Sequence, residues 1–309
     1  MKFRRSLLVP AVACLLAGLA LAQEGFGPAR RGGWMRRWGG GDGPVVQTEG
    51  GQTVNEDTVR TARETASHST GTPDWTNAPG FEKDVFTFAR VIYHFNDRPF
   101  PSWLGWINDY PDSDLNLSFR LQQLTSLKVD PDGRVLKLTS PELPDFPFLY
   151  IVQAGHVALR DEEVPALQRY LQDGGTLMAD DFWGTTDWES FEHEMARVLP
   201  GRSWVELPMS HPIFHCVFDL AKGKNALQVP TIHFWQPGGP SYRWGDDARD
   251  VHVRAWLDNR QRIMVIAVHN SDTGDGWERE GENIDYFRTF SETRAYPLAI
   301  NIIFYLMTH

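Results

Sequence analysis

Leu167-Gln168-Arg169-Tyr170-Leu171-Gln172-Asp173-Gly174-Gly175-Thr176-Leu177-Met178-Ala179-Asp180-Asp181-Phe182-Trp183-Gly184 reads as a helix end, a glycine stop, a short buried strand and two carboxylates where the strand runs out. Val164, Leu167 and Leu171 share one helical face, and Gly174 suits the left-handed residue that commonly ends a helix. In an open α/β sheet, ligands gather outside the carboxyl ends of the strands. Asp180 and Asp181 therefore fall where such a sheet would build a site.

Working outward, the same alternation continues. Val85–Tyr93 is β-branched and aromatic, a strand pattern. Asp112 or Ser113 is expected to cap a helix carrying Leu115, Leu117, Phe119, Leu121 and Leu124. Val135–Leu138 is a short strand, and Phe148–Val152 is the unbroken apolar run of a strand covered on both faces. Asp161–Leu171 is a helix with Pro165 near its first turn, where a missing N–H costs least. Thr186-Asp187-Trp188-Glu189 matches a capping box, followed by Trp188, Phe191, Met195 and Val198 at helical spacing. Strands are expected at Trp204–Leu207, Leu227–Trp235, Val251–Leu257 and Ile263–Val268, and a core helix at Thr293–Met307. Strands alternating with helices predict a mainly parallel sheet between helical layers, and the later strands an antiparallel extension.

The N-terminus has a basic start (Lys2, Arg4, Arg5), an apolar run Leu7–Leu19, and Ala20-Leu21-Ala22. That is the pattern of a cleaved secretory signal peptide, residues 1–22, and implies a periplasmic or secreted protein. The run is shorter than a spanning helix and holds Pro10. A lipoprotein at Cys14 is the lesser alternative. Residues 23–80, with Gly32–Gly41 rich in glycine and arginine, are expected to be a disordered linker apart from a polar helix within Thr53–Ser67. Residues 81–309 form a single α/β domain. Loss of three cations with the leader takes the formal net charge from −10 to −13, which argues against nucleic acid as a partner. Cys216 alone then remains, so no internal disulfide can form.

With parallel strands, four strand ends gather along one edge: the region 103–110, Gly155-His156, Asp180–Trp183 and His269–Asp272, with Asp272–Glu278 following. Trp106, Asp109, His156, Asp180, Asp181, Trp183, Asp272, Asp275, Trp277 and Glu278 are the candidate site residues. Carboxylates beside indoles suit sugar recognition, metal coordination or acid/base work. The competing reading is that strand-end aspartates cap helices and turns. His211 and His215 have metal-pair spacing, but Pro212 favours an extended or turn backbone at His211. The acids after Asn270 miss the spacing of a calcium loop. No nucleophile elbow, phosphate loop or dinucleotide fingerprint occurs, and no cofactor or metal is assigned.

Phe86–Arg90, Trp106–Pro111 with Asn116-Leu117, Gly174-Gly175 through Phe182, His211–Phe214, Asp275–Glu278 and Ala295-Tyr296 through Asn301 together resemble the domain-of-unknown-function 4159 family. The resemblance spans about residues 81–309. It implies a class I glutamine-amidotransferase-like, flavodoxin-like three-layer sandwich, similar also to trehalose-utilisation-type relatives. The amidotransferase cysteine is not matched, and no catalytic residues are implied. The expectation is an exported domain that binds a small molecule, glycan or cell-envelope protein at the carboxyl edge of its sheet, without catalysis and without a transmembrane span. The alternative is a hydrolase using carboxylate and histidine groups, with or without a metal.

Overall fold

The computed structural model describes residues 44–80, 84–95, 104–242 and 245–309. The leader, the Gly32–Gly41 tract and Trp103 lie outside the described residues.

A seven-stranded sheet forms the centre. Its strands in spatial order are β5 (Arg134–Lys137), β3 (Ala89–Ile92), β6 (Phe148–Ile151), β8 (Thr176–Ala179), β11 (Ile263–His269), β10 (His252–Leu257) and β9 (Trp204–Glu206). The first five run parallel, whereas β10 and β9 extend the sheet antiparallel. Side chains alternate across it, as the two-residue strand period requires. Leu149, Ile151, Leu177, Ala179, Val265 and Ala267 join the cluster that holds Leu167 and Leu171 of α2 (Glu163–Gln172) and Phe191 and Met195 of α3 (Gly184–Val198). Phe148, Tyr150, Met178, Ile266 and Val268 join the cluster of the other face. That cluster takes Leu117 and Leu121 from α1 (Asp112–Leu124), Trp277 from α4 (Thr273–Glu278) and Leu298 to Ile303 from α5 (Tyr296–Thr308). The mixed α/β architecture is therefore a sheet between two helical layers. Two small antiparallel pairs complete it: β1 (Val45–Gln47) with β2 (Thr53–Asn55), and β4 (His94–Phe95) with β7 (Val157–Ala158).

The structure departs from the sequence expectations at four places. Residues 44–80 are ordered onto the domain rather than forming a disordered linker. Val54, Val59 and Ala62 are buried in the core, and Thr53–Ser67 contains β2 and one 3-10 turn (Ala62–Glu64) instead of a helix. Little apolar material is needed here, because Arg63 donates to the carbonyls of Thr72, Pro73 and Pro131. Leu227–Trp235 is not a strand but two 3-10 turns. Pro230 lacks a donor, and side chains take the neighbouring N–H groups: Ser271 Oγ accepts from Val229 and Asp275 Oδ2 from Ile232. Helix α3 begins at Gly184, before the Thr186 box, since Trp183 occupies the cap position. The C-terminal helix is preceded by a turn of α-helix (Ile284–Tyr286) and a π-helical stretch (Phe287–Ala295).

Candidate functional site

The parallel strands end in residues with an unusual backbone. Asp181 after β8 (φ 50°), Gln153 after β6 (φ 51°), Asn270 after β11 (φ 63°) and Asp109 just before α1 (φ 62°) all sit in the left-handed region. Only Gln261 (φ 67°) joins them among the described non-glycine residues. Such conformations cost roughly 1–3 kcal/mol each and cluster where function over-determines the backbone.

A cleft of about 530 Å³ opens at this edge, lined by Gln153, His156, Asp181, Trp183, Thr185, Thr186, Asp187 and Asp247 among others. His156 stacks on Phe95 with ring centroids 4.9 Å apart. Trp183 Nε1 donates to Asp181 Oδ1 at 3.0 Å, which fixes the carboxylate at the cleft wall. The amino end of α3 is already capped: Gly184 N–H donates to Asn270 Oδ1 at 2.7 Å and Thr185 N–H to Asp247 Oδ2 at 2.9 Å. The helix dipole there is met by acids, so the cleft favours donors and cations over anions. A larger hollow of about 890 Å³ lies near the opposite strand ends, by Gly174, Thr176, Arg202 and Arg262. Two of the three arginines that line it are spent on backbone carbonyls, Arg202 on Leu257 and Arg262 on Leu171, Gly174 and Gly175. The smaller cleft is therefore the candidate site.

Behind it lies a buried acid cluster. Asp180 Oδ2 accepts from Gly274 N–H at 2.9 Å, Thr273 Oγ1 and Tyr150 Oη. Burial, opposed by the Thr273 bond and reinforced by neighbouring Asp181, raises its pKa to about 7. Asn108 Nδ2 donates to Asp109 Oδ1 at 2.7 Å and reaches Asp181 Oδ2 at 3.4 Å, which ties cleft to cluster. Asp272 caps α4 by accepting from Asp275 N–H at 3.0 Å, and accepts from Thr231 Oγ1 at 2.6 Å. Glu278 Oε1 lies 2.5 Å from His68 Nε2, and Glu278 Oε2 lies 2.6 Å from Arg279 Nε, whose other end pairs with Glu49. The Glu278 contact raises the His68 pKa. Burial first, and then mutual repulsion, holds Asp109, Asp272 and Asp275 well above the usual carboxylate range. Two groups have the spacing of a cation site: Asp109, Asp275 and Glu278; and Glu49, His68 and Glu278. In each, one ligand atom per residue lies within 4.8 Å of the others.

Of the ten expected residues, six acids (Asp109, Asp180, Asp181, Asp272, Asp275, Glu278) belong to this connected region, and His156 and Trp183 line the cleft with Asp181. Trp106 and Trp277 do not reach it. Trp106 is core, packed on Tyr110, with Nε1 donating to Glu56 at 2.6 Å. Trp277 is fully buried against Phe88 and Tyr150. The paired-histidine motif is structural: His211 Nδ1 accepts from Ile213 N–H, and His215 is engaged by Asp219 and the Met209 carbonyl. Residues the sequence did not flag include Gln153, Asp187, Asp247 and His68, whereas Asn108 lies within the region 103–110 that it did. Besides the polar helix expected within Thr53–Ser67, the T-x-x-E pattern at Thr61–Glu64 is a local sign of order ahead of His68, and Thr61 N–H does donate to Glu64 Oε1 at 3.0 Å.

Comparison with known families returns one match over this region. The model of a family described as Domain of unknown function (DUF4159) covers residues 87–307. No curated protein matches the chain.

Proposed function

For a chain that belongs to the DUF4159 family of domains of unknown function, we propose a binding role: the carboxyl-edge cleft takes a polyhydroxylated ligand, a glycan or a cell-envelope saccharide. The observation that carries this reading is the convergence of left-handed Gln153, Asp181 and Asn270 on a cleft rich in hydrogen-bond acceptors. Asp181, Asp187 and Asp247 present carboxylates, Gln153 and the threonines present groups that donate and accept, and Trp183 supplies an apolar edge. Sugar hydroxyls donate in pairs to such carboxylates, and an anionic ligand would meet repulsion. The role includes export, with the leader removed after Ala22 and the domain acting outside the cytoplasm.

The test is calorimetric titration of the mature chain with a panel of neutral and amino-sugar oligosaccharides. Binding is expected to weaken about 10- to 100-fold in D181N and D247N, the loss of one charge-assisted hydrogen bond. A wild-type chain that binds none of the panel, or variants that bind equally well, would sink the reading. A second reading, hydrolysis, draws on Asp181 and His156 facing one cleft and on Asp180 being held near neutral pKa beside Asp181. Turnover of chromogenic glycosides or esters, abolished in D181N, would replace the first reading with the second.

A further inference from the structure

We propose that Asp109, Asp275 and Glu278 hold a hard divalent cation behind the cleft. The three carboxylates come from two places in the chain, the turns just before α1 and helix α4, and each offers an oxygen within 4.8 Å of the other two. Oxygens bonded to one calcium ion at about 2.3–2.6 Å can lie no more than about 5 Å apart. The spacing is thus that of a shared ion.

A second observation points to a missing partner. Asp109 is 3% exposed, yet its Oδ2 has no hydrogen-bond partner among the described residues. That oxygen faces α4 closely: a Cβ on Gly274 would stand 2.3 Å from it. The glycine is therefore required for the carboxylate to approach the helix that carries Asp275 and Glu278. A buried carboxylate oxygen without a donor costs several kcal/mol unless something else compensates it.

Charge balance leads to the same place. Asp109, Asp180, Asp272, Asp275 and Glu278 are each at most 3% exposed. Among the described residues, the cations paired with them are His68 on Glu278, and Arg279 on Glu278 and Asp275. Neither is paired with Asp109. Arg90, also buried, is committed to Asp114. A divalent cation at the triad would supply positive charge that no described side chain brings to Asp109. An all-oxygen donor set selects calcium, magnesium or manganese over softer metals.

The full chain, purified with chelator and then desalted, is titrated with calcium, magnesium, manganese and terbium chlorides. Uptake is read by calorimetry, melting temperature and terbium emission sensitised through Trp277, the chain neighbour of Glu278. One equivalent bound, with a raised melting temperature, is the expected result. D109N and E278Q should each weaken it tenfold or more, whereas D161N, at an exposed acid, should not. No uptake up to about 10 mM, above the range of weak calcium modules, overturns the site, as does uptake that survives both substitutions. Should a variant fail to fold, the wild-type titration decides by itself, because one saturable equivalent is required. Cleft binding of saccharide is scored separately, so either result can fail alone.

Discussion

Gly274 and Arg90 show how single positions set this molecule. A methyl group at residue 274 would stand 2.3 Å from Asp109 Oδ2 and 3.0 Å from Tyr150 Oη. Gly274→Ala should destabilise the fold by about 1–3 kcal/mol, the usual cost of overpacking, seen as a lower urea midpoint. An unchanged midpoint would mean that the turn carrying Asp109 gives way freely. Arg90, fully buried, donates to Asp114 and to the carbonyls of Trp106 and Asn108, so it anchors the loop that carries Asp109. Arg90→Met leaves Asp114 buried and unpaired, and about 3–5 kcal/mol should be lost. Denaturation of R90M against R90M/D114N checks this, since the double variant should recover part of the loss. Asp180 and Asp181 were legible because a glycine stop and the short buried run Thr176–Ala179 announce a strand end. Trp277 was not, because its acidic neighbours look like a loop, while α4 turns the indole into the core and the carboxylates into the cluster.

At the scale of elements, the stretch 44–80 is the main departure. Its composition is polar and its periodicity poor, so nothing local specifies order. Order comes from partners far away in sequence. Tyr110 Oη donates to the Thr61 carbonyl at 2.8 Å, His68 N–H donates to Asp112 Oδ2 at 2.9 Å, and Val54 and Val59 enter the core. Burying each such valine is worth about 1.5–3 kcal/mol. A chain starting at residue 81 should therefore be several kcal/mol less stable than one starting at residue 44, and it strips His68 from Glu278. Hydrogen exchange offers the readout: amides of residues 53–68 should be protected in the longer chain, and unprotected amides there would refute the docking. The longer helices were readable from 3.6-residue spacing, but the short α4 was not, and neither were the helix starts. Helix α3 takes its caps from Asn270 and Asp247, which no window around Thr186 contains.

For the whole molecule, the buried acids make stability depend on pH in an unusual direction. An Asp180 pKa raised to about 7 means the folded state keeps a proton that the unfolded chain releases near the ordinary carboxylate value. The unfolded state then binds fewer protons, so stability is fullest below about pH 4 for this group and is lost as pH rises towards 7. Asp109, Asp272 and Asp275, also raised, act in the same direction. Half-buried Glu206 opposes them at acid pH. Desolvation lifts its carboxyl, but bonds from His252 and Lys224 outweigh this and bring the pKa to about 2, so its stability is lost as pH falls from about 4.5 to about 2. Urea midpoints of chelated protein should thus fall between pH 5 and 7, and fall less steeply in D180N; a flat wild-type profile would contradict the cluster. The sequence by itself determined the layered α/β plan, since alternating strand and helix periods leave few ways to bury both faces of a parallel sheet, and it determined which edge would collect the acids. Only the tertiary structure decided that two of the three candidate site tryptophans are core, that residues 44–80 pack onto the domain, and that Asp109 meets Asp275 and Glu278. Those outcomes depend on contacts between distant segments, where packing and charge compensation, not local pattern, set the energy.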